Sequence, residues 1–272
     1  MIAQAAGRLA DGLLRLQARC LPITACLPRF YQAKPLIRKE ARHTLDAACG
    51  AGEFTLWMAS QGMRVSGVNL SRREIDVARA RAAKQGLEVE FRVGDLSGRT
   101  PFPDGAFDQI VSLDTVVHIP DDAPVFREFA RLLSPGGRLV LSVAAFAPSG
   151  DGALYAAQKA LRRWAPARLH APPAWNGRTW LRASPEDLRI GFRQYRFYRL
   201  EALLDRVRGD FRLERYEYGL RLFSALATDL VFGIRHARFV QPVLFAAGAR
   251  LDRLLCGPTR PGYLLFAVLR KK

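Results

Sequence analysis

The run LDAACGAGEFTLWMA, spanning Leu45–Ala59, constrains the fold of this 272-residue chain more than any other stretch. An apolar strand enters a glycine-rich turn and leaves it as a helix, the joint at which open α/β sheets hold ligands beyond the carboxyl ends of their strands. Gly50 and Gly52 let the backbone turn sharply and approach a bound group that a Cβ would exclude. The turn alone does not say which group, because phosphate, dinucleotide and adenosyl sites all use it. Two residues narrow the choice. Position 55, where the dinucleotide pattern G-x-G-x-x-G needs its third glycine, is Thr55, and Asp46 sets a carboxylate just ahead of the loop. A carboxylate there repels a pyrophosphate and favours a cation or an amine.

Around this joint, residues 44–145 alternate short apolar runs with amphipathic stretches, which predicts a parallel sheet covered by helices. Strands are expected at Thr44–Ala48, Arg64–Leu70, Glu88–Gly94, Phe107–Leu113 and Gly137–Ala144. Helices are expected at Glu53–Gln61, Arg72–Gln85 and Asp122–Leu133, the last stopped by the Ser134–Gly137 run SPGG. A further helix near Arg199–Arg208 and strands Phe211–Gly219 and Gly262–Arg270 follow. The expected fold is a Rossmann-like, doubly wound, seven-stranded, mostly parallel α/β sheet with an antiparallel last strand and helical insertions. An N-terminal helical segment (1–43) precedes a domain (44–272) interrupted at 148–185 and 220–261.

Composition excludes several classes. With 49% hydrophobic and 25% charged residues the chain has ample core, so fibrous and disordered readings fall away. Its longest charge-free run, Leu139–Gly150, is well short of the roughly 18–20 apolar residues of a spanning helix. No basic-then-apolar signal segment opens the sequence. Cys20, Cys26, Cys49 and Cys256 have neither CxxC pairing nor zinc-like spacing, so reduced thiols, a cytoplasmic location and no metal site are expected. The formal charge is +17, of which residues 151–272 carry +13, so an anionic partner is expected to meet the second half. Since 36 of the 42 basic residues are Arg, a compositional preference for arginine is the alternative source of that charge.

Four ordered segments, LDAACGAGEFT, VSGVNLS (Val65–Ser71), Val93–Asp121 and FREFARLLSPGGRLVLS (Phe126–Ser142), resemble the class I S-adenosylmethionine-dependent methyltransferases of the small-molecule, ubiquinone-methyltransferase-like type (methyltransferase type 11). They cover about 100 residues. The resemblance implies S-adenosylmethionine as cofactor, with Asp46, Cys49, Gly50 and Gly52 at its methionine part. It further implies Asn69 and Leu70 at the ribose, Asp95 and Leu96 at the adenine, and Leu113 and Asp114 along the other side. Where most relatives carry Asp or Glu for the ribose hydroxyls, this chain has Asn69, a neutral acceptor without charge assistance. On that reading Asn69→Asp binds cofactor as tightly or more tightly.

A sulfonium already activates its methyl group, so the protein's task is to align the acceptor and exclude water. For a hydroxyl or acidic-carbon acceptor a base helps, and His118 is the candidate, either as proton acceptor or as an orienting residue. In Leu220–Phe239 and Val240–Cys256 apolar residues line one face, Leu244, Ala247, Leu251 and Leu255 in the second, while Arg250 and Arg253 lie off it. Basic amphipathic helices suit a lipophilic substrate mouth or an anionic membrane surface, here the inner face of a membrane, or else simply pack on the core. The expected acceptor is a quinone, polyketide, isoprenoid or lipid precursor, with the oligomeric state open. Three rival readings remain. A nucleic-acid methyltransferase fits the charge, but LDTVVH (Leu113–His118) has no polar-Pro-Pro-aromatic clamp for a flipped base, so nucleic acid is disfavoured as a partner. A nicotinamide-dependent dehydrogenase is opposed by Thr55 and Asn69, and a binding module without turnover would keep the same glycines.

Overall fold

The computed structural model describes residues 28–145, 197–219, 241–256, 262 and 264–272. Its strands are β1 (Thr44–Ala47), β2 (Val65–Asn69), β3 (Glu90–Val93), β4 (Phe107–Leu113), β5 (Leu133–Ala144), β6 (Phe211–Gly219) and β7 (Leu264–Lys271). The helices among these residues are α1 (Pro28–Ala33), α2 (Glu53–Ser60), α3 (Arg72–Gln85), α4 (Ala123–Leu132), α5 (Leu200–Val207) and α6 (Gln241–Leu251). One seven-stranded sheet runs β3-β2-β1-β4-β5-β7-β6. The first five strands pair in parallel, and β7 lies antiparallel between β5 and β6. Strand order therefore reverses between β1 and β4, the switch point at which a crevice opens.

Alternation along the strands sorts side chains to two buried faces. In β7, Leu265, Ala267 and Leu269 join one core while Leu264, Phe266 and Val268 join the other. The first core takes Val125, Phe126, Phe129 and Leu132 from α4 and Leu203 and Val207 from α5. The second takes Phe30 and Ala33 from α1 and Phe54 and Met58 from α2. Each fully buried phenylalanine, Phe129 or Phe266 for instance, contributes about 1.5–3 kcal/mol. A third, smaller cluster fixes α3 against β3 through Ile75, Ala78, Ala82 and Phe91, with Cys49 and Leu56. The Asp122 carboxylate, fully buried, accepts from the Tyr198 hydroxyl and, at 2.7 Å, from Arg206, which ties α5 to the start of α4.

The element bounds differ from the sequence reading in physically intelligible ways. α4 stops at Leu132, and Leu133 already pairs with Phe107, after which the register shifts to Gln109 opposite Arg138. Ser134–Gly137 is thus a bulge inside β5 and not a linker before it, with Gly136 at φ 70° absorbing the extra residues. β1 ends at Ala47 because Ala48 turns into the left-handed region, φ 66°. β3 begins at Glu90 and β7 covers Leu264–Lys271, a shift of one or two residues at each end.

The face assigned to Val240–Cys256 is also corrected. Phe245, Gly248 and Asp252 are buried, whereas Ala247, Leu251 and Leu255 are exposed. The largest apolar group sets the rotation: Phe245 packs against Tyr31 of α1 and Leu244. Beyond it the helix widens into a π-turn, Asp252–Cys256, held to β6 by a 2.8 Å ion pair between Arg253 and buried Glu217. The expected insertion 148–185, the Leu220–Phe239 face and residues 1–27 lie outside the described residues.

Candidate cofactor site

The turn after β1 is built from three left-handed residues, Ala48 (φ 66°), Gly50 (54°) and Gly52 (84°). It is anchored by Cys49 N–H donating to the Val68 carbonyl and Gly52 N–H donating to the Cys49 carbonyl, both at 3.0 Å. Arg81 of α3 clamps it from outside, donating to the Ala51 carbonyl at 3.0 Å and to Glu53 at 2.6 Å. The two glycines do different work. A Cβ at Gly50 would meet nothing within 4 Å, so its backbone faces open space where a ligand can lie. A Cβ at Gly52 would press on Ala78 at 3.0 Å and Phe91 at 3.3 Å. Gly52 therefore serves the close packing of loop on α3 and β3. Cys49 beside it is a buried thiol whose pKa burial pushes well up, which leaves it inert.

Asp46 is buried, and Thr55 donates its hydroxyl to the carboxylate at 2.5 Å. Thr55 thus fills the place of the missing third glycine with a function of its own, bracing the strand end against α2. Burial pushes the Asp46 carboxyl up to about 7 despite that hydrogen bond. Its carboxylate lies within the protein and acts on the loop from inside.

At the end of β2, Asn69 accepts from Gly50 N–H at 3.3 Å and donates through Nδ2 to Glu74 Oε2 at 2.6 Å. Leu70 next to it is an exposed leucine. Beyond β3, the Gly94 N–H donates to the Asn69 carbonyl at 3.0 Å, bringing the Asp95 turn beside β2. Asp95 is exposed and accepts from Ser97 N–H and Oγ at 2.8 and 2.6 Å, a local turn that orients its carboxylate, while Leu96 is buried in the core. At the end of β4, Leu113 packs on the second core and Asp114 adopts φ 58°. Asp114 N–H is held by the Ser142 carbonyl and hydroxyl at 3.0 and 2.9 Å, and Arg29 of α1 reaches its carboxylate at 3.5 Å. His118 ends the short 3-10 turn Val116–His118 that follows, half-buried.

The ten expected cofactor residues thus gather at the carboxyl ends of β1 to β4 and the turns behind them, around the switch point. Thr55, Glu74 and Arg29 join them without having been expected at the cofactor from the sequence. Thr55 was visible there only as an absent glycine, and Glu74 carried the S-x-x-E spacing of a helix start (Ser71 to Glu74). A cleft of about 670 Å³ at the opposite end of the sheet, lined by His43, Ser66 and Glu90 among others, does not compete. There the Ser66 hydroxyl stands between His43 (2.9 Å) and Glu90 (3.3 Å), so no carboxylate orients the imidazole toward a nucleophile.

The open cradle at Gly50 and the acceptors at the ends of β2 and β3 fit an adenosyl group with an amino-acid tail, and the fold is that of the class I S-adenosylmethionine-dependent methyltransferases. Residues 45–141 match the methyltransferase domain family of type 11, and the domain belongs to it, with S-adenosylmethionine as its cofactor. The chain is 42% identical over 101 residues to the methyltransferase GfsG of Streptomyces halstedii, covering 36% of each. It is 34% identical over 119 residues to a ubiquinone biosynthesis O-methyltransferase of Xanthomonas euvesicatoria, covering 42% of this chain and 50% of that one. The chain therefore spans half or less of the length of these curated relatives. Among solved structures, an S-adenosylmethionine dependent methyltransferase from Mesorhizobium loti superposes with TM-score 0.53 at 19% identity, over 89% of this chain and 97% of that one. The [4+2]-cyclase SpnF superposes with TM-score 0.56 at 19% identity, over 90% and 80%, a likeness of fold alone.

Proposed function

We propose that this protein transfers the methyl group of S-adenosylmethionine to a lipophilic small molecule, a quinone, polyketide, isoprenoid or lipid precursor, by in-line displacement. The open left-handed turn at Gly50, set at the switch point inside a type 11 methyltransferase domain, carries the reading. The cofactor supplies an activated methyl on a sulfonium. The chain's residues bind it, keep water out and set the acceptor in line. Asp46, Cys49, Gly50 and Gly52 form its cradle, Asn69 and Leu70 take the ribose, Asp95 and Leu96 the adenine, and Leu113 and Asp114 the remaining side. With the cofactor and a hydroxyl-bearing acceptor bound, the His118 imidazole would take up the hydroxyl proton as the activated methyl is transferred.

Support for a lipophilic acceptor comes from the exposed apolar residues Val243, Leu251, Leu254 and Leu255, on an element that packs against α1, the helix whose Arg29 touches Asp114. Some relatives act in ubiquinone biosynthesis, and the same chemistry suits this face. The test is methyl transfer from radiolabelled S-adenosylmethionine to a panel of hydroxylated quinones, polyketides and isoprenoids, with tRNA as comparison. Label in the lipophilic set supports the reading, and label only in tRNA sinks it. His118→Ala is expected to keep cofactor affinity while kcat falls about 10²-fold or more. An unchanged kcat would remove His118 as base.

A further inference from the structure

We propose that Gln32 of α1 is a specificity-determining residue for the methyl acceptor, its buried carbonyl oxygen taking a hydrogen bond from a second hydroxyl on the lipophilic molecule. The inference rests on the proposed function above and narrows its substrate class to acceptors that carry a hydroxyl beyond the one methylated.

α1 crosses the carboxyl end of the sheet on the side of the second core, from β4, where Arg29 reaches Asp114, to β6, where Gln32 meets Gly219. The expected cofactor residues lie at β1 to β4, so Gln32 stands on the side of Asp114 away from the Gly50 turn. It is 5% exposed, and its Oε1 is enclosed without a hydrogen-bond donor. A Cβ at Gly219 would collide with that oxygen and come within 2.7 Å of the Phe266 ring, so β6 ends in the residue type that admits the amide. Phe266 pairs across the strands with Ser142, which holds the Asp114 N–H, and this sets the amide level with the strand ends. One turn earlier on the same face, Arg29 Nε is also buried without a partner. Unmet polar groups thus gather on the inner face of α1. An enclosed acceptor without a donor destabilises the free fold, whereas a methionine would fill a similar volume without that loss. A ligand hydroxyl removes the penalty on binding, because it donates where an amide oxygen can only accept. A carboxylate or phosphate on the acceptor would offer Oε1 no proton, which sets hydroxylated acceptors apart from anionic ones. Tyr31 beside Gln32 packs with Leu244 and Phe245 of α6, apolar surface that suits a carbon skeleton.

The test is methyl transfer by the full chain, at saturating S-adenosylmethionine, to pentylresorcinol, pentylcatechol and pentylphenol, with S-adenosylhomocysteine affinity measured by calorimetry. Wild type is expected to prefer a dihydroxy compound to pentylphenol about tenfold in kcat/KM, the effect of one neutral hydrogen bond. Gln32→Met is expected to abolish that preference by raising KM for the dihydroxy compound, leaving kcat and the KM for pentylphenol within about twofold of wild type. Gln32→Glu, which keeps an acceptor oxygen, should retain the preference. Gly219→Ala, which displaces the amide while Gln32 remains in the chain, should lose it, and none of the three should alter S-adenosylhomocysteine affinity. Gln32→Met that keeps the preference, or slows both substrates equally as a structural or water-satisfied glutamine would, overturns the proposal and leaves the cofactor reading standing. Wild type that binds S-adenosylhomocysteine but methylates none of the three overturns the acceptor class, and wild type that does not bind it overturns the cofactor reading beneath.

Discussion

Backbone strain at single residues concentrates where the ligand is expected. Ala48 and Asp114, the only non-glycine residues with positive φ among the described residues, end β1 and β4 on either side of the switch point. Each costs about 1–2 kcal/mol that the surrounding strands must hold in place. Gly50 and Gly52 allow this strain to be probed separately. Gly50→Val should abolish cofactor binding while costing about 1–2 kcal/mol of stability, because its side chain enters open space. Gly52→Val should cost a further 1–3 kcal/mol or so by overpacking Ala78 and Phe91. Urea denaturation of both, beside a binding titration, checks this. Equal stability losses would mean that Gly52 is not packed as described. Asp46 gives a pH prediction. Its carboxyl sits at about 7 in the fold against 3.8 for an ordinary aspartate, so ionising it inside costs about 4 kcal/mol. The folded state binds the proton more tightly, so this contribution is complete below about pH 4 and is lost as pH rises to about 7. Asp46→Asn should therefore gain stability relative to wild type between pH 5 and pH 8. A wild-type-minus-variant difference that is constant over that range would refute the assignment.

At the scale of elements, sequence carried the sheet well because its two-residue alternation is absolute: a strand such as β7 shows its two buried faces directly as Leu264–Leu269. The place of the candidate site in the fold was legible for a related reason, since strand ends and glycines have fixed places in a doubly wound sheet. Helix rotation was less legible. In α6 and the π-turn after it, the apolar residues Val243, Leu244, Phe245, Leu251, Leu254 and Leu255 spread over an arc of more than half the circumference, so periodicity alone allowed several inward faces. The ring of Phe245 and the Arg253–Glu217 pair chose among them through partners on α1 and β6. Glu74 was hidden for a related reason. Its spacing from Ser71 reads as a helix start, and only the fold shows that the side chain turns back to Asn69 and away from solvent.

For the molecule as a whole, the net +13 of residues 151–272 and the exposed leucines of α6 and the π-turn argue together. Either one alone is ordinary, since scattered exposed apolar residues are common on soluble proteins and arginine bias inflates charge. Their coincidence in the same half of the chain fits reversible seating on an anionic bilayer, where Leu254 and Leu255 insert and each nearby arginine contributes about 1 kcal/mol. No helix among the described residues is long and apolar enough to cross a membrane. Two independent manipulations separate the contributions. Replacing Leu254 and Leu255 with Asp removes the inserted surface, and because both side chains are exposed the fold should be unaffected. Raising salt from about 0.1 to about 1 M shortens the screening length from about 10 to about 3 Å and removes the charge part. Cosedimentation with phosphatidylserine vesicles should fall in both cases. Binding that is lost with salt but survives the leucine substitutions would mean charge alone is responsible. A wild type that ignores vesicles and instead shifts RNA with a steep salt dependence would assign the basic half to nucleic acid.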